Sequence, residues 1–352
     1  MGRAQSEPLI RDPRRDTDRT VEIPKPERGM ETMEPRIRHL GTGFDGWDVL
    51  ATLPHSVFLD GAAFHFLAFD PFLRLESHGE EIRLRDARGS VLRTMRGDPF
   101  TALRRVWQEL GVRRESWERD DRFPPFCGGL CGYFGYEVGG LLERRLRAHC
   151  RNGDGIPDAS IGFYDRVLCH EIATGRIDLI ETAWGGDAFG VRPDPFERLE
   201  WALARSERGG CEREGVVGCE TAEIEARFTR QGYLDAVRRA LDAIAAGDIY
   251  QVNLSQRFTA STLETPQALY SRLRAQNPAP FGAYLQGEGY AILSNSPERF
   301  LRIAPEGGGW IIETEPIKGT RPRGETPAQD AARKEELRSD EKELAEHLMI
   351  VD

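Results

Sequence analysis

From His39 to about Trp184 the sequence keeps returning to one unit, a short β-favouring run closed by turn formers. The runs SVFLDGAAFHFLAFD, IRLRD, VLRTM, ASIGFYDRVLCHEI and RIDLIETAW are of this kind, with a helical ALRRVWQELG set among them. Such a pattern reads as mostly antiparallel sheet with helices attached. It excludes an all-helical fold before any other property of the chain is weighed.

The pattern breaks at SERGGCEREGVVGCETAE, residues 206–223, which is small, charged and without periodicity. It reads as a linker between a region over 36–205 and a second over 224–352. The second region opens on QGYLDAVRRALDAIAAGD, where Leu234, Val237, Leu241 and Ile244 recur at helical spacing and Gly247 stands where a C-cap belongs. Strand-like YQVNLSQRF, PFGAYLQG, YAILSNS, ERFLRIA and WIIETEPI follow, consistent with a meander. Thr326 with Pro327 and Gln329 predicts a capped helix start, and Ser339 before Asp340 and Glu341 predicts another. That last helix closes on the apolar LMIVD with no cap, so further chain is expected beyond it.

Residues 1–35 mix Arg, Asp, Glu and Pro without apolar periodicity, and a disordered tail is expected there. Their charges also rule out the apolar core of a signal peptide, and no apolar run approaches the ~20 residues of a membrane span. A cytoplasmic location without a membrane partner is the expectation. A net charge of −10 argues against nucleic acid as a partner, because a phosphate groove needs concentrated Lys and Arg. The six cysteines lack zinc or redox spacing, so free thiols are expected. Gly128–Gly140, GGLCGYFGYEVGG, matches no phosphate loop and carries aromatics between its glycines. Close backbone packing beside an aromatic core is the better reading.

Five ordered blocks, GDIYQVNLSQRF, NPAPFGAYL, ILSNSPERFL, ETEPIKGTRPRG and ELAEHLMIVD, resemble the chorismate-binding enzymes. PHSVFLDGAA, FLAFDPFLRL, PPFCGGLCGYFGYE and IPDASIGFYDRVL are similar to the N-terminal region of anthranilate and aminodeoxychorismate synthases within that family. The resemblance implies an α+β fold of two face-packed antiparallel β-sheets with outer helices, incomplete at its C-terminal end. It also implies chorismate as substrate, ammonia delivered by a glutamine amidotransferase subunit, and Mg2+ as cofactor.

The family's roles fall on particular residues. Glu298 of SPERF takes the general-acid position, which requires a carboxyl kept protonated by burial; alone it would read as a surface turn residue. Lys318 of PIKGT takes a position where anthranilate synthases usually carry Ala and one large group of aminodeoxychorismate synthases carries Lys. It is implied to attack the substrate ring, for which the amine must be neutral, and burial beside Pro316 and Ile317 is the expected means. Gln251 occupies the position of the lysine base in the family's water-using members, so water is poorly activated. Gly319 and Thr320 are implied to bind a substrate carboxylate, and Glu346 to ligate magnesium. The family's second glutamate ligand has no counterpart up to residue 352, so the 352-residue chain by itself is expected to show little or no turnover. A chorismate-aminating enzyme of the aminodeoxychorismate type is thus the leading expectation. An anthranilate-forming enzyme or an inactive, non-catalytic binding fragment are the alternatives.

Overall fold

A computed structural model describes residues 34–42, 46–50, 53–111, 122–143, 145–146, 155–182, 184, 189–208, 223–306 and 309–351. Most of the expected tail, residues 209–222 of the expected linker, and Cys150, Cys211 and Cys219 lie outside the described residues. The chain divides into two compact units, Met1–Arg208 together with Tyr270–Asp352, and Gly209–Leu269.

The first part of the larger unit runs β1 (Arg36–Gly41), α1 (Gly46–Leu50), β2 (Val57–Gly61), β3 (Phe64–Ala68), β4 (Leu73–His78), β5 (Glu81–Asp86) and β6 (Val91–Arg96). It continues with α2 (Pro99–Leu110), β7 (Gly129–Phe134), α3 (Gly139–Leu142), β8 (Ala159–Tyr164), β9 (Arg166–Glu171), β10 (Arg176–Glu181) and α4 (Pro195–Arg208). Next come β11 (Glu225–Ala226), α5 (Arg230–Ala246), β12 (Phe258–Thr259) and α6 (Pro266–Gln276). The chain then runs through β13 (Phe281–Gln286), β14 (Ala291–Ser296), β15 (Arg302–Glu306), β16 (Gly309–Glu313), α7 (Pro327–Ser339) and α8 (Glu341–Val351).

Seven strands form one sheet in the order β1-β10-β9-β3-β2-β13-β14, and five form another in the order β6-β5-β4-β8-β7. Side chains alternate across each strand, so a central strand serves two layers. Phe58, Leu67, Leu168, Ile177, Leu179 and Tyr284 leave the seven-stranded sheet on one face and pack on Val49 and Leu50 of α1, Leu199 and Ala202 of α4, and Tyr270 of α6. Val57, Phe66, Ala68, Val167 and Ile180 leave the other face and meet Tyr164 and Cys131 of the five-stranded sheet. The far face of that second sheet, with Leu73, Leu75, Ile82, Leu84 and Phe163, is covered by Ala102, Val106 and Leu110 of α2. This is the expected α+β arrangement of face-packed antiparallel sheets with outer helices. Each fully buried Leu or Phe in these layers contributes about 1.5–3 kcal/mol.

Gly132 explains the glycine-rich stretch: a Cβ there would overlap the carbonyl oxygen of Ser160 on the paired strand. Phe134 stacks on Phe100 at 4.4 Å between ring centroids. Cys127, Cys131 and Cys169 are free, and burial pushes each thiol up to about 12.

Three expectations about the second region are corrected. The five strand-like runs do not form their own meander: β13 pairs with β2, carrying β13 and β14 into the seven-stranded sheet, while β15 and β16 make a separate hairpin. Period-two alternation states that a strand has two faces but not which neighbour it finds. YQVNLSQRF joins a strand ladder only at its end among the described residues, where Phe258 pairs with β11 and the Arg257 carbonyl accepts from the Arg227 amide; Val252 is exposed. Ser339 is not the cap of the last helix. Its hydroxyl donates back to the carbonyls of Glu335 and Glu336, and Asp340 caps α8 by accepting from the Glu343 amide at 3.1 Å.

Within the smaller unit α5 is capped as the sequence suggests. Thr229 accepts from the Gly232 amide at 3.1 Å, and Gly247 closes the helix at φ 79°. No helix among the described residues is long and apolar enough to cross a membrane.

Candidate active site

The sequence-predicted residues of the larger unit lie on two irregular segments and one helix. Glu298 sits in the turn between β14 and β15, Lys318, Gly319 and Thr320 follow β16, and Glu346 is on α8. Gln251 belongs to the smaller unit, where its side-chain amide donates to Asn253 at 3.3 Å.

The Glu298 turn and the segment leading to Lys318 are tied through Arg299. Its guanidinium lies 3.4 Å from Glu315 and 3.9 Å from Glu313, and over the Phe281 ring at 5.4 Å. Glu313 is also bound by Arg302 at 2.6 Å, and hydrogen bonding from Arg302 holds its carboxyl below the usual range. The acids preceding Lys318 are thereby engaged by arginines. The Glu298 carboxylate itself is exposed and Phe300 beside it is 83% exposed, so the described residues do not supply the burial that a general acid requires.

Lys318 is partly buried and makes no hydrogen bond or ion pair among the described residues. The apolar cover expected from Ile317 is not there, since Ile317 is 56% exposed. What holds the turn instead is the corner between α7 and α8. Gly319 has φ +77°, and a Cβ there would stand 2.7 Å from Leu337 Cδ1 and 2.9 Å from Glu343 Oε2. His347 Nε2 lies 3.3 Å from the Pro316 carbonyl. Arg321 reaches Glu336 at 2.9 Å, Asp340 at 2.6 Å and Glu343 at 3.3 Å, and donates to the Thr320 carbonyl at 3.1 Å. Arg323 binds Asp330 through two nitrogens at 2.7 and 2.8 Å, and Arg333 donates to the carbonyls of Pro322 and Arg323. The structure thus brings the Lys318–Thr320 turn onto the helix that carries Glu346, one turn beyond Glu343.

Glu346 is 42% exposed and lies 3.5 Å from Lys342. No group of three His, Cys, Asp or Glu side chains suited to a metal gathers among the described residues. One carboxylate does not make the oxygen set magnesium demands, so these residues do not by themselves fit the ion.

Residues that the sequence reading passed over are Arg321 and those of a cavity between the sheets. The cavity is lined by His55, Arg74, Glu76, Tyr133, Tyr164 and Tyr290 among others, and none of the predicted site residues lines it. Arg74 donates to His55 Nδ1 at 2.8 Å, and burial, aided by the Arg74 charge, lowers the affinity of His55 for its proton. Alternation in LRLES carries the signal, since Leu73 and Leu75 face α2 while Arg74 and Glu76 face the other way.

The layered α+β body is one shared with a solved enzyme. Anthranilate synthase component I from Streptococcus pneumoniae superposes with a TM-score of 0.60 at 26% identity, over 83% of this chain and 60% of that one. Among curated relatives, anthranilate synthase component 1 of Thermus thermophilus is 38% identical over 72% of this chain and 52% of its own length. Aminodeoxychorismate synthase component 1 of Klebsiella aerogenes is 32% identical over 86% of this chain and 62% of its own. Residues 64–352 match the family of chorismate binding enzymes, and the chain belongs to that family. It spans between half and two thirds of the length of these relatives.

Proposed function

We propose that this chain is the chorismate-aminating part of an aminodeoxychorismate synthase, making 4-amino-4-deoxychorismate with ammonia from a glutamine amidotransferase partner. The observation that carries the reading is Lys318, an amine on a braced turn that no carboxylate holds among the described residues, while Glu313 and Glu315 nearby are taken by Arg299 and Arg302. The chain contains four lysines, Lys25, Lys318, Lys334 and Lys342, so an amine at this place is an unusual choice in a sequence that otherwise draws its cations from arginine.

In the proposed reaction the Lys318 amine bonds to C2 of chorismate as both ring double bonds shift by one position and the C4–O bond breaks. Glu298 holds the family's general-acid position and, with bound substrate supplying the cover that the described residues do not, would give its proton to the departing hydroxide, which leaves as water. Ammonia then bonds to C4, both double bonds shift back, and the C2–N bond breaks to free the lysine as a neutral amine. The proton shed by the new ammonium group returns Glu298 to its acid form. Gly319 and Thr320 would offer an amide and a hydroxyl to a substrate carboxylate. No step is assigned to magnesium.

The family also favours a second reading, because relatives of both kinds match. A form of the chain extended to the length of its relatives, incubated with chorismate and ammonium chloride and with products separated and weighed by mass spectrometry, decides between them. 4-Amino-4-deoxychorismate supports the proposal and fluorescent anthranilate supports the alternative. Failure of chorismate to bind at all in a calorimetric titration overturns both.

A further inference from the structure

Arg321 stands three residues after Lys318 at the meeting point of three acids that come from separate places: Glu336 on α7, Asp340 at the junction, and Glu343 on α8. A guanidinium fork can satisfy several acceptors at fixed angles, which a lysine ammonium cannot reproduce. Asp340 is shared, since its other carboxylate oxygen caps α8. The same guanidinium also binds the carbonyl of Thr320, the last residue of the turn.

We infer that Arg321 is a positioning residue, which fixes the Lys318 turn against the α7–α8 corner and occupies the acids that would otherwise capture the Lys318 amine. Glu343 is the acid best placed to do so, because its Oε2 would touch a Cβ on Gly319, the neighbour of Lys318. An amine captured by a carboxylate is held in its charged form and is no nucleophile. This inference rests on the reading of Lys318 as the nucleophile, and it adds a second requirement to that reading, that the surrounding acids be kept busy.

The test is competitive labelling of the purified chain with an amine-reactive reagent, read peptide by peptide, with Lys334 and Lys342 as internal references. In Arg321→Met, Lys318 labelling at neutral pH is expected to fall about tenfold relative to the references, the effect of one new carboxylate partner. Arg321→Lys, which keeps the charge but not the fork, is expected to fall between. Arg321→Met/Glu343→Gln is expected to recover labelling, because the capturing acid is gone. A purely structural Arg321 would lower the melting temperature of Arg321→Met and leave the Lys318 ratio unchanged, which overturns the inference. If Arg321→Met does not fold, Arg321→Lys set against Arg321→Lys/Glu343→Gln gives the same two outcomes. Protection of wild-type Lys318 by chorismate reports on the functional reading separately. Its absence sinks that reading whatever the variants do.

Discussion

Replacing Gly319 by alanine perturbs the turn that carries Lys318 at the point where it touches both helices. The cost has two parts. A residue with a Cβ at φ +77° gives up about 1–2 kcal/mol to backbone strain. The added methyl would meet Leu337 Cδ1 at 2.7 Å and Glu343 Oε2 at 2.9 Å. Both atoms are far ends of flexible side chains and can swing aside, so overpacking adds about 1 kcal/mol, the low end of its range. A total loss of about 2–3 kcal/mol is therefore expected for the unit containing α7 and α8. Urea unfolding of wild type and Gly319→Ala, followed by tryptophan fluorescence, measures it as a lower midpoint at unchanged slope. Gly319→Asn should lose less, since asparagine tolerates the left-handed region. Equal midpoints for wild type and Gly319→Ala would show that the turn is not seated on the helix corner.

Asp165→Asn should destabilise the fold by about 3–5 kcal/mol in thermal melting, because it strands a buried guanidinium. Arg192 and Asp165 have side chains 8% and 4% exposed and are joined by bonds of 2.7 and 2.6 Å. His55 predicts a pH dependence of stability. Burial, then the Arg74 charge, holds its pKa below the ordinary 6.5, so as pH falls through about 6.5 the unfolded chain takes up the proton first and the fold weakens. The loss should continue down to the lower folded value. His55→Asn, chosen because His55 sits at φ 56°, should flatten the slope of melting temperature between pH 7 and pH values below 6.5.

The first region was legible because its strands bury one face on helices and the other on a second sheet. Alternating Phe58, Leu67 and Leu168 against Val57, Phe66 and Val167 leaves a record in local order. The helix over ALRRVWQELG and the cap at Gly247 are likewise written in neighbours a few residues apart. Partnering across long separations is not written there, so nothing in PFGAYLQG names β2 as its neighbour. At Ser339 and Asp340 two cap-competent residues stand side by side, and only the direction of their hydrogen bonds tells them apart. Glu298, Lys318 and Glu346 were legible as residue types in family blocks, but their surroundings were not. The brace at Arg321 depends on acids 15, 19 and 22 residues away, a spacing with no periodic signature.

In the proposed reaction the Lys318 amine forms a bond to the chorismate ring. Incubating the chain with chorismate in the absence of ammonia, digesting it, and weighing the peptide that carries residue 318 addresses that bond without requiring turnover. A peptide heavier by chorismate less one water is expected, with the added mass on Lys318 and released by ammonium. A chain that binds chorismate yet returns that peptide unmodified would contradict the proposed reaction.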